Sequence, residues 1–153
     1  MNKKLFNQMI AAIDESYDLM QEYASIPHQY HNIMLYPVET HTIQIIGNNP
    51  GITASLIAKR LNKTLSACSQ ILGKLEKKKL IFKIKNPNNK REFNLYLTES
   101  CKIIYDLHEQ LDDRILSRYY QNLDYLTDQE IEIYLKVQKA LNNEFNQDLK
   151  ESF

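Results

Sequence analysis

Ser66, Ala67, Ser69 and Gln70 stand close together, and Lys74, Lys77, Lys78 and Lys79 follow them in the same run. Short hydroxyls and an amide, then cations, are what a helix entering a DNA major groove needs. Small side chains let the backbone approach, the amide and hydroxyls can meet base edges, and the ammonium groups can meet phosphates. Gln70 is the best single candidate for a base-edge contact. A second basic pair, Lys90-Arg91, ends an Asn- and Pro-rich turn, NPNNKR, where an arginine suits the concentrated negative potential of a narrow minor groove. Thr53 and Thr64 each precede a helical stretch, where a hydroxyl can cap the helix and face the same polyanion. Across Ile52–Thr98 eleven Lys/Arg oppose only Glu76 and Glu92, a net +9, and the rest of the chain carries −9. The neutral total therefore conceals a basic module set among acidic helices, as a polyanion-binding part joined to another part would be.

The elements that must position these groups follow from periodicity. Asn2 to Ala24 reads as a helix with one apolar stripe of Leu5, Met9, Ile13, Tyr17 and Met20, and the stripe is narrow enough to suit a partner chain. Ser25–Tyr36 is a break, stopped by Pro27. Pro37 opens a second helix, expected to bury Val38, Ile43 or Thr42, Ile45 and Ile46 and to end at Gly47. Thr53 heads a short helix with Leu56, Ile57 and Leu61 inward. Thr64 heads the next, with Leu65, Cys68, Leu72 and Leu75 inward and the Ser/Gln/Lys set outward. After Leu80 the period changes to two: Ile81–Lys85 and Glu92–Leu97 alternate apolar and polar as an antiparallel hairpin. Thr98 caps a long helix over Glu99–Gln121, with Ile103, Ile104, Leu107, Leu111, Ile115, Leu116 and Tyr119 inward. Thr127 with Glu130 is a capping box that opens the last helix, striped by Ile131, Leu135, Leu141 and Phe145. The fold class expected is mostly α with a small β-hairpin wing.

Composition narrows the function classes. With 153 residues, 43% hydrophobic and 25% charged, the chain suits one globular domain with a core, or a small domain plus an oligomerisation element. Three Gly and four Pro argue against a loop-rich β architecture. No apolar run approaches the roughly 20 residues that span a bilayer. The opening MNKKLFNQMIAAIDES meets Asp14 and Glu15 too soon for a signal peptide, so a cytoplasmic protein without membrane contact is expected. Cys68 and Cys101 have no metal-type spacing and read as reduced structural thiols. No nucleophile elbow, phosphate loop or HExxH motif is present, and the carboxylates are spread along helix faces, so an enzyme is not expected.

The order helix, helix, helix-turn-helix, wing, long helix, helix resembles the MarR family of bacterial transcriptional regulators over essentially the whole chain. The resemblance is carried by Thr53 with Leu56–Leu61, by Ser66, Ser69 and Gln70, by Lys74–Lys78 with Leu80-Ile81, by Asn89-Lys90-Arg91, and by Leu97-Thr98-Glu99. It implies a winged helix-turn-helix lobe over 37–98 and a helical dimerisation region over 1–24 and 99–149. It also implies a homodimer on a pseudo-palindromic double-stranded operator, with Thr64–Lys78 as recognition helix and Arg91 at the wing tip. Repression rather than activation follows from that analogy alone. Two positions depart from the family pattern. Asn89 replaces an acidic residue, which implies a less rigid wing, and Lys79 replaces a Gly, which adds charge near the DNA backbone.

The resemblance also implies an effector, bound near the junction of dimer and DNA-binding parts. A zinc-responsive branch of the family has histidines on the same two helices. His41 and His108 match two of its ligands, while Asp112 stands where a further His is expected and Tyr23 where a Glu is expected. Zinc held by His41, His108 and Asp112, helped by His28 or Glu109, is one expectation. An unknown organic effector in an apolar cleft lined by Tyr30, Met34, Tyr36 and Tyr105 is the other. A rival of a different class is a winged-helix protein–protein adaptor. The exposed face of Thr64–Lys78 speaks against it, since it offers no aromatic or large aliphatic anchor.

Overall fold

The computed structural model describes residues 2–87 and 89–151, so that Asn88 of the wing turn lies outside the described residues. The elements run α1 (Lys3–Ser25), β1 (His28–Tyr30), β2 (Ile33–Leu35), α2 (Pro37–Asn48), β3 (Ile52–Thr53), α3 (Ala54–Arg60), α4 (Leu65–Lys77), β4 (Ile81–Lys85), β5 (Phe93–Leu97), α5 (Glu99–Asn122) and α6 (Asp128–Glu151). Mostly α with a β-hairpin wing is the observed class. The chain forms two compact units, Met1–Gln110 and Leu111–Phe153.

In the first unit, α2, α3 and α4 pack with a three-stranded sheet of order β3-β5-β4. The wing hairpin pairs Ile81 with Leu97 and Lys83 with Leu95, which turns Ile81 and Leu95 to the core. Leu35, Ile43, Ile46, Ile57, Leu75 and Leu80 are almost wholly buried. Each such aliphatic side chain stabilises the fold by about 1.5–3 kcal/mol relative to an exposed one. The helix starts use the expected chemistry. Pro37 stands at the first position of α2, whose capping box joins Tyr36 and Glu39. The Thr64 hydroxyl accepts the Ala67 N–H of α4 at 3.2 Å.

Several inward assignments need correction. On α3 the buried stripe is Ile57 and Ala58, flanked by partly buried Ala54 and Leu61, so Leu56 falls off it and is 53% exposed. Leu65, in the first turn of α4, is 55% exposed and faces the groove beside the wing instead of the core. Val38 and Ile45 are only half-buried. On α5 the buried positions are Cys101, Ile104 and His108, at steps of three and four, whereas Ile103 lies off that stripe and is exposed. Three short strands escaped the periodicity. β1 and β2 form a hairpin inside the supposed break, and β3 adds two residues to the wing sheet.

α1 contains no buried residue. In the second unit, α6 likewise buries none, and Leu116 and Tyr119 of α5, expected inward, are exposed. The Thr127–Glu130 capping box is present: the Thr127 N–H and hydroxyl both donate to Glu130 Oε2 at 2.8 Å.

Candidate nucleic-acid interface

α4 divides its residues as the groove-entering hypothesis requires. Cys68, Leu72 and Leu75 are buried beneath it, and Ser66, Ser69, Gln70, Gly73 and Lys74 are exposed, with Ala67 half-buried. Nothing lies within 4 Å of the place a Cβ would occupy on Gly73, so the outer face stays open for close backbone approach. Thr53 starts α3 without a side-chain cap to the helix; its hydroxyl instead meets Ser55 at 3.0 Å. Ser55 in turn donates to Glu92 at 3.4 Å, which ties the start of α3 to the turn end of the wing.

The wing stands beside this face. Ser69 of α4 and Arg91 of the wing line one groove of about 380 Å³, together with Leu65, Phe82 and Phe93. A second tie, Lys83 to Glu76 at 2.9 Å, joins β4 to α4. Both groups are more than 40% exposed, so the pair orients more than it stabilises. At the wing turn Asn89 Oδ1 accepts the Arg91 N–H at 3.1 Å, and Asn86 Oδ1 accepts the Asn89 N–H at 3.3 Å. A neutral side-chain oxygen thus does the turn-forming work. Lys90 and Arg91 are both exposed.

The lysine run is not uniform. Lys74, Lys77 and Lys79 are exposed. Lys78 instead points back into the protein, where its Nζ donates to Glu39 at 2.7 and 2.9 Å and to the Met34 carbonyl at 2.9 Å. Glu39 is 2% exposed, and it also accepts the Tyr36 N–H at 2.9 Å as the α2 capping box. Lys78 therefore neutralises a buried carboxylate and clamps the end of α4 to the start of α2. Sequence reasoning placed it among phosphate contacts; the only signal for its partner was Glu39 at the third position of a Pro-initiated helix.

Lys79 sits in the left-handed region with φ 58°. Its N–H donates to the Glu76 carbonyl at 2.9 Å, and the Leu80 N–H donates to the Leu75 carbonyl at 3.0 Å. This is a Schellman ending, which places a left-handed residue just past the helix and an apolar pair, Leu75 and Leu80, beneath it. The position favours Gly for conformational reasons, and that is what the departure at Lys79 means structurally. The Thr98 hydroxyl then donates to the Lys79 carbonyl at 3.0 Å, fixing the start of α5 against the same turn.

The residues proposed for an effector separate into two places. Tyr30 is buried and its hydroxyl meets His108 Nδ1 at 2.7 Å. His41 and His108 have ring centroids 6.2 Å apart; His41 is exposed and His108 buried. Met34 and Tyr36 are exposed on and beside the β1–β2 hairpin, and Tyr105 lines a different cavity near Gly47. Asp112 belongs to the second unit. Among the described residues no group of three or more His, Cys, Asp or Glu is gathered for a metal ion, and a zinc site needs at least three protein ligands. Gln44 holds Glu109 at 2.8 Å and Tyr23 packs edge-on against His28 at 5.1 Å. Cys68 and Cys101 are both free and buried, and burial pushes the Cys101 thiol up to about 12, which keeps it from acting as a thiolate. No helix among the described residues is long and apolar enough to cross a membrane.

Comparison with known proteins agrees with this geometry. The sequence model described as MarR family matches residues 35–93. The HTH-type transcriptional regulator PchR of Bacillus subtilis (strain 168) is 31% identical over 103 residues, 67% of this chain and 61% of that protein. The uncharacterized HTH-type regulator YvnA of the same organism is 31% identical over 54% of this chain and 53% of its own length. The chain thus spans a little over half the length of these curated relatives. Among solved structures, Streptococcus pneumoniae FabT in complex with DNA superposes with a TM-score of 0.68 at 25% identity, covering 97% of this chain and 99% of that one. Lactococcus lactis ZitR, a zinc-responsive MarR family member, gives a TM-score of 0.77 over 92% and 99% of the two chains. At 24% identity this second likeness speaks for the fold alone.

Proposed function

Because this chain belongs to the MarR family, we propose that it is a sequence-specific DNA-binding transcriptional regulator that works as a homodimer on a pseudo-palindromic duplex. The observation that carries the reading is the shared groove of Ser69 and Arg91, which sets the open face of α4 beside a basic wing tip. In this reading Ser66, Ala67, Ser69 and Gln70 meet base edges in the major groove, and Thr53, Thr64 and Lys74 meet phosphates. Lys90 and Arg91 reach the flanking minor groove. Two copies would present two recognition helices, and binding requires their separation to match about one helical turn, roughly 34–36 Å. The apolar stripes of α1 and α6, neither of which contains a fully buried residue, support a second copy as their cover. An effector that favours one spacing over another would switch operator affinity by shifting the balance of two dimer states.

The test is selection of duplexes from a mixed pool by the purified chain, followed by affinity measurements across a salt series. The expected result is enrichment of pseudo-palindromes and a log–log salt slope of about −0.9 per phosphate neutralised. Absence of binding at any salt would refute the reading and turn the search toward an acidic protein partner.

A second reading concerns the effector. The nearness of His41 and His108 supports zinc as that effector, and ZitR is a zinc-responsive protein of the same fold. The two imidazoles alone do not complete a site. Zinc and chelator arms in the selected-duplex assay test it: an unchanged affinity and melting temperature with zinc would sink it. In that event an organic effector remains, at Tyr105 or at Tyr30, Met34 and Tyr36, since Tyr105 lines a cavity that the other three do not.

A further inference from the structure

A cavity of about 700 Å³ opens where the end of α2, the root of the wing and the start of α5 meet. Its floor is Ile46, Leu97 and the rings of Phe82, Tyr96 and Tyr105. The size is that of a pocket for a small organic molecule. The aromatic walls are held in place. Phe82 and Tyr96 stack with centroids 5.5 Å apart and planes 21° apart. The Tyr105 ring lies so close over Gly47 that a Cβ there would fall 2.5 Å from it, and its hydroxyl donates to Asn48 at 2.6 Å.

The charges around the cavity have the opposite sign from those of the DNA face. Glu99, Lys102 and Asp106 are the charged lining groups, and the Lys102 ammonium is engaged by Glu99 at 2.7 Å. Asp106 is exposed at the rim. Two carboxylates against one paired ammonium leave the lining net negative, and burial, then the carboxylates of Glu109 and Asp106, push the Tyr105 phenol above its ordinary value. A carboxylate guest would meet Asp106, which repels it, whereas an ammonium guest is attracted to it.

We propose that this cavity binds a small organic cation, an arylalkyl monoamine whose ring rests on the Phe82, Tyr96 and Tyr105 floor and whose ammonium meets Asp106. Such a guest touches α2, the wing and α5 at once. Its consequence for operator affinity rests on the DNA-binding reading above; its binding does not.

The test is calorimetric titration of the full chain with phenethylamine, 2-phenylethanol and 3-phenylpropanoate at neutral pH. The amine is expected to bind about tenfold more tightly than the alcohol, and the carboxylate more weakly than either. Asp106→Asn should reduce the amine to the alcohol's affinity, and Phe82→Leu should weaken amine and alcohol together. Both side chains are exposed, and circular dichroism melts of the variants check that they fold. Equal binding of amine and alcohol, or an undiminished amine preference in Asp106→Asn, overturns the proposal. The selected duplex then reads the consequence separately. An amine that binds but leaves DNA affinity unchanged refutes the regulatory role while the cavity assignment stands. Failure to select any duplex refutes the DNA-binding reading and leaves the calorimetric result intact.

Discussion

From β1 to the start of α5 the chain closes one core, with Ile43, Ile46, Ile57, Leu75 and Leu80 almost wholly buried, whereas α1 and α6 contain no fully buried residue. Both kinds of region have apolar stripes of helical period, so the stripe itself does not distinguish them. In the winged part the helices are short and joined by tight turns, and each stripe finds a neighbour within the same fold. In α1 and α6 the stripes run along helices of 23 and 24 residues and Tyr17, Met20, Tyr134 and Leu149 remain open. The winged part should therefore be stable on its own account, while the two end helices depend on a surface that a second copy would supply.

The largest effect should come from breaking the closed core. Leu75→Ala leaves a cavity under the recognition helix and should cost about 3 kcal/mol in urea unfolding, with the same loss at every protein concentration. Leu135→Glu on α6 should behave differently. Its cost should appear as a monomeric species in sedimentation and as a melting-temperature deficit against the wild type that shrinks on dilution, because it removes association rather than packing. Equal, concentration-independent losses for the two variants would erase the distinction between the regions.

Within the winged part, Lys78 and Lys74 sharpen the comparison on a smaller scale. They are four residues apart, yet Lys78 serves the core and Lys74 the surface. Lys78→Met keeps most of the side-chain stem but leaves the Glu39 carboxylate buried without its cation, at about 2 kcal/mol of stability. Lys74→Met should leave stability within about 0.5 kcal/mol and lower DNA affinity, reducing the salt slope by about one unit. Chemical denaturation and the salt series together separate the two; a Lys78→Met variant of unaltered stability would show that the clamp carries no weight.

These contrasts mark how far the sequence could be read. Periodicity located the helices, the change of period located the wing, and Thr64 and the Thr127–Glu130 pair marked helix starts, because each of these signals lies within a few residues. What escaped depends on distant or weak local chemistry. The partner of Lys78 lies 39 residues back, hidden inside a charge run that reads as surface. The β1–β2 hairpin has three-residue strands and turns at His31 with φ 53°, without the Asn-Gly or Asp-Gly signal that usually announces such a turn. The exposed α4 face was legible because it is a local pattern. The histidines were not legible as a site, because whether two side chains on separate helices converge is decided by packing.

Lys79 offers a gain instead of a loss. Its left-handed backbone costs a Lys more than a Gly, so Lys79→Gly should stabilise the winged part by about 0.5–1 kcal/mol. If Lys79 also touches phosphate, the same variant binds DNA more weakly with a salt slope smaller by about one. A stabilised protein with unchanged DNA affinity would make Lys79 a surface charge and nothing more.

The smallest effect is at the start of α6. Two hydrogen bonds from Thr127, its N–H first and then its hydroxyl, hold the Glu130 carboxyl below its ordinary value of 4.5. A carboxyl with a depressed folded-state pKa contributes its stabilisation fully above the unfolded value and loses it as pH falls through the folded value. Below 4.5, then, the first turn of α6 should fray, read as faster amide exchange at Thr127, while Glu130→Gln should make that exchange insensitive to this titration. The turn that ends α4 is closed by the Lys79 and Leu80 amides donating to the Glu76 and Leu75 carbonyls, backbone groups that do not titrate. Its amides at Lys79 and Leu80 should keep their protection over the same pH range. If they lost protection in step with Thr127, the two ends would be failing as one cooperative unit, and the division between a self-supporting lobe and dependent end helices would no longer hold.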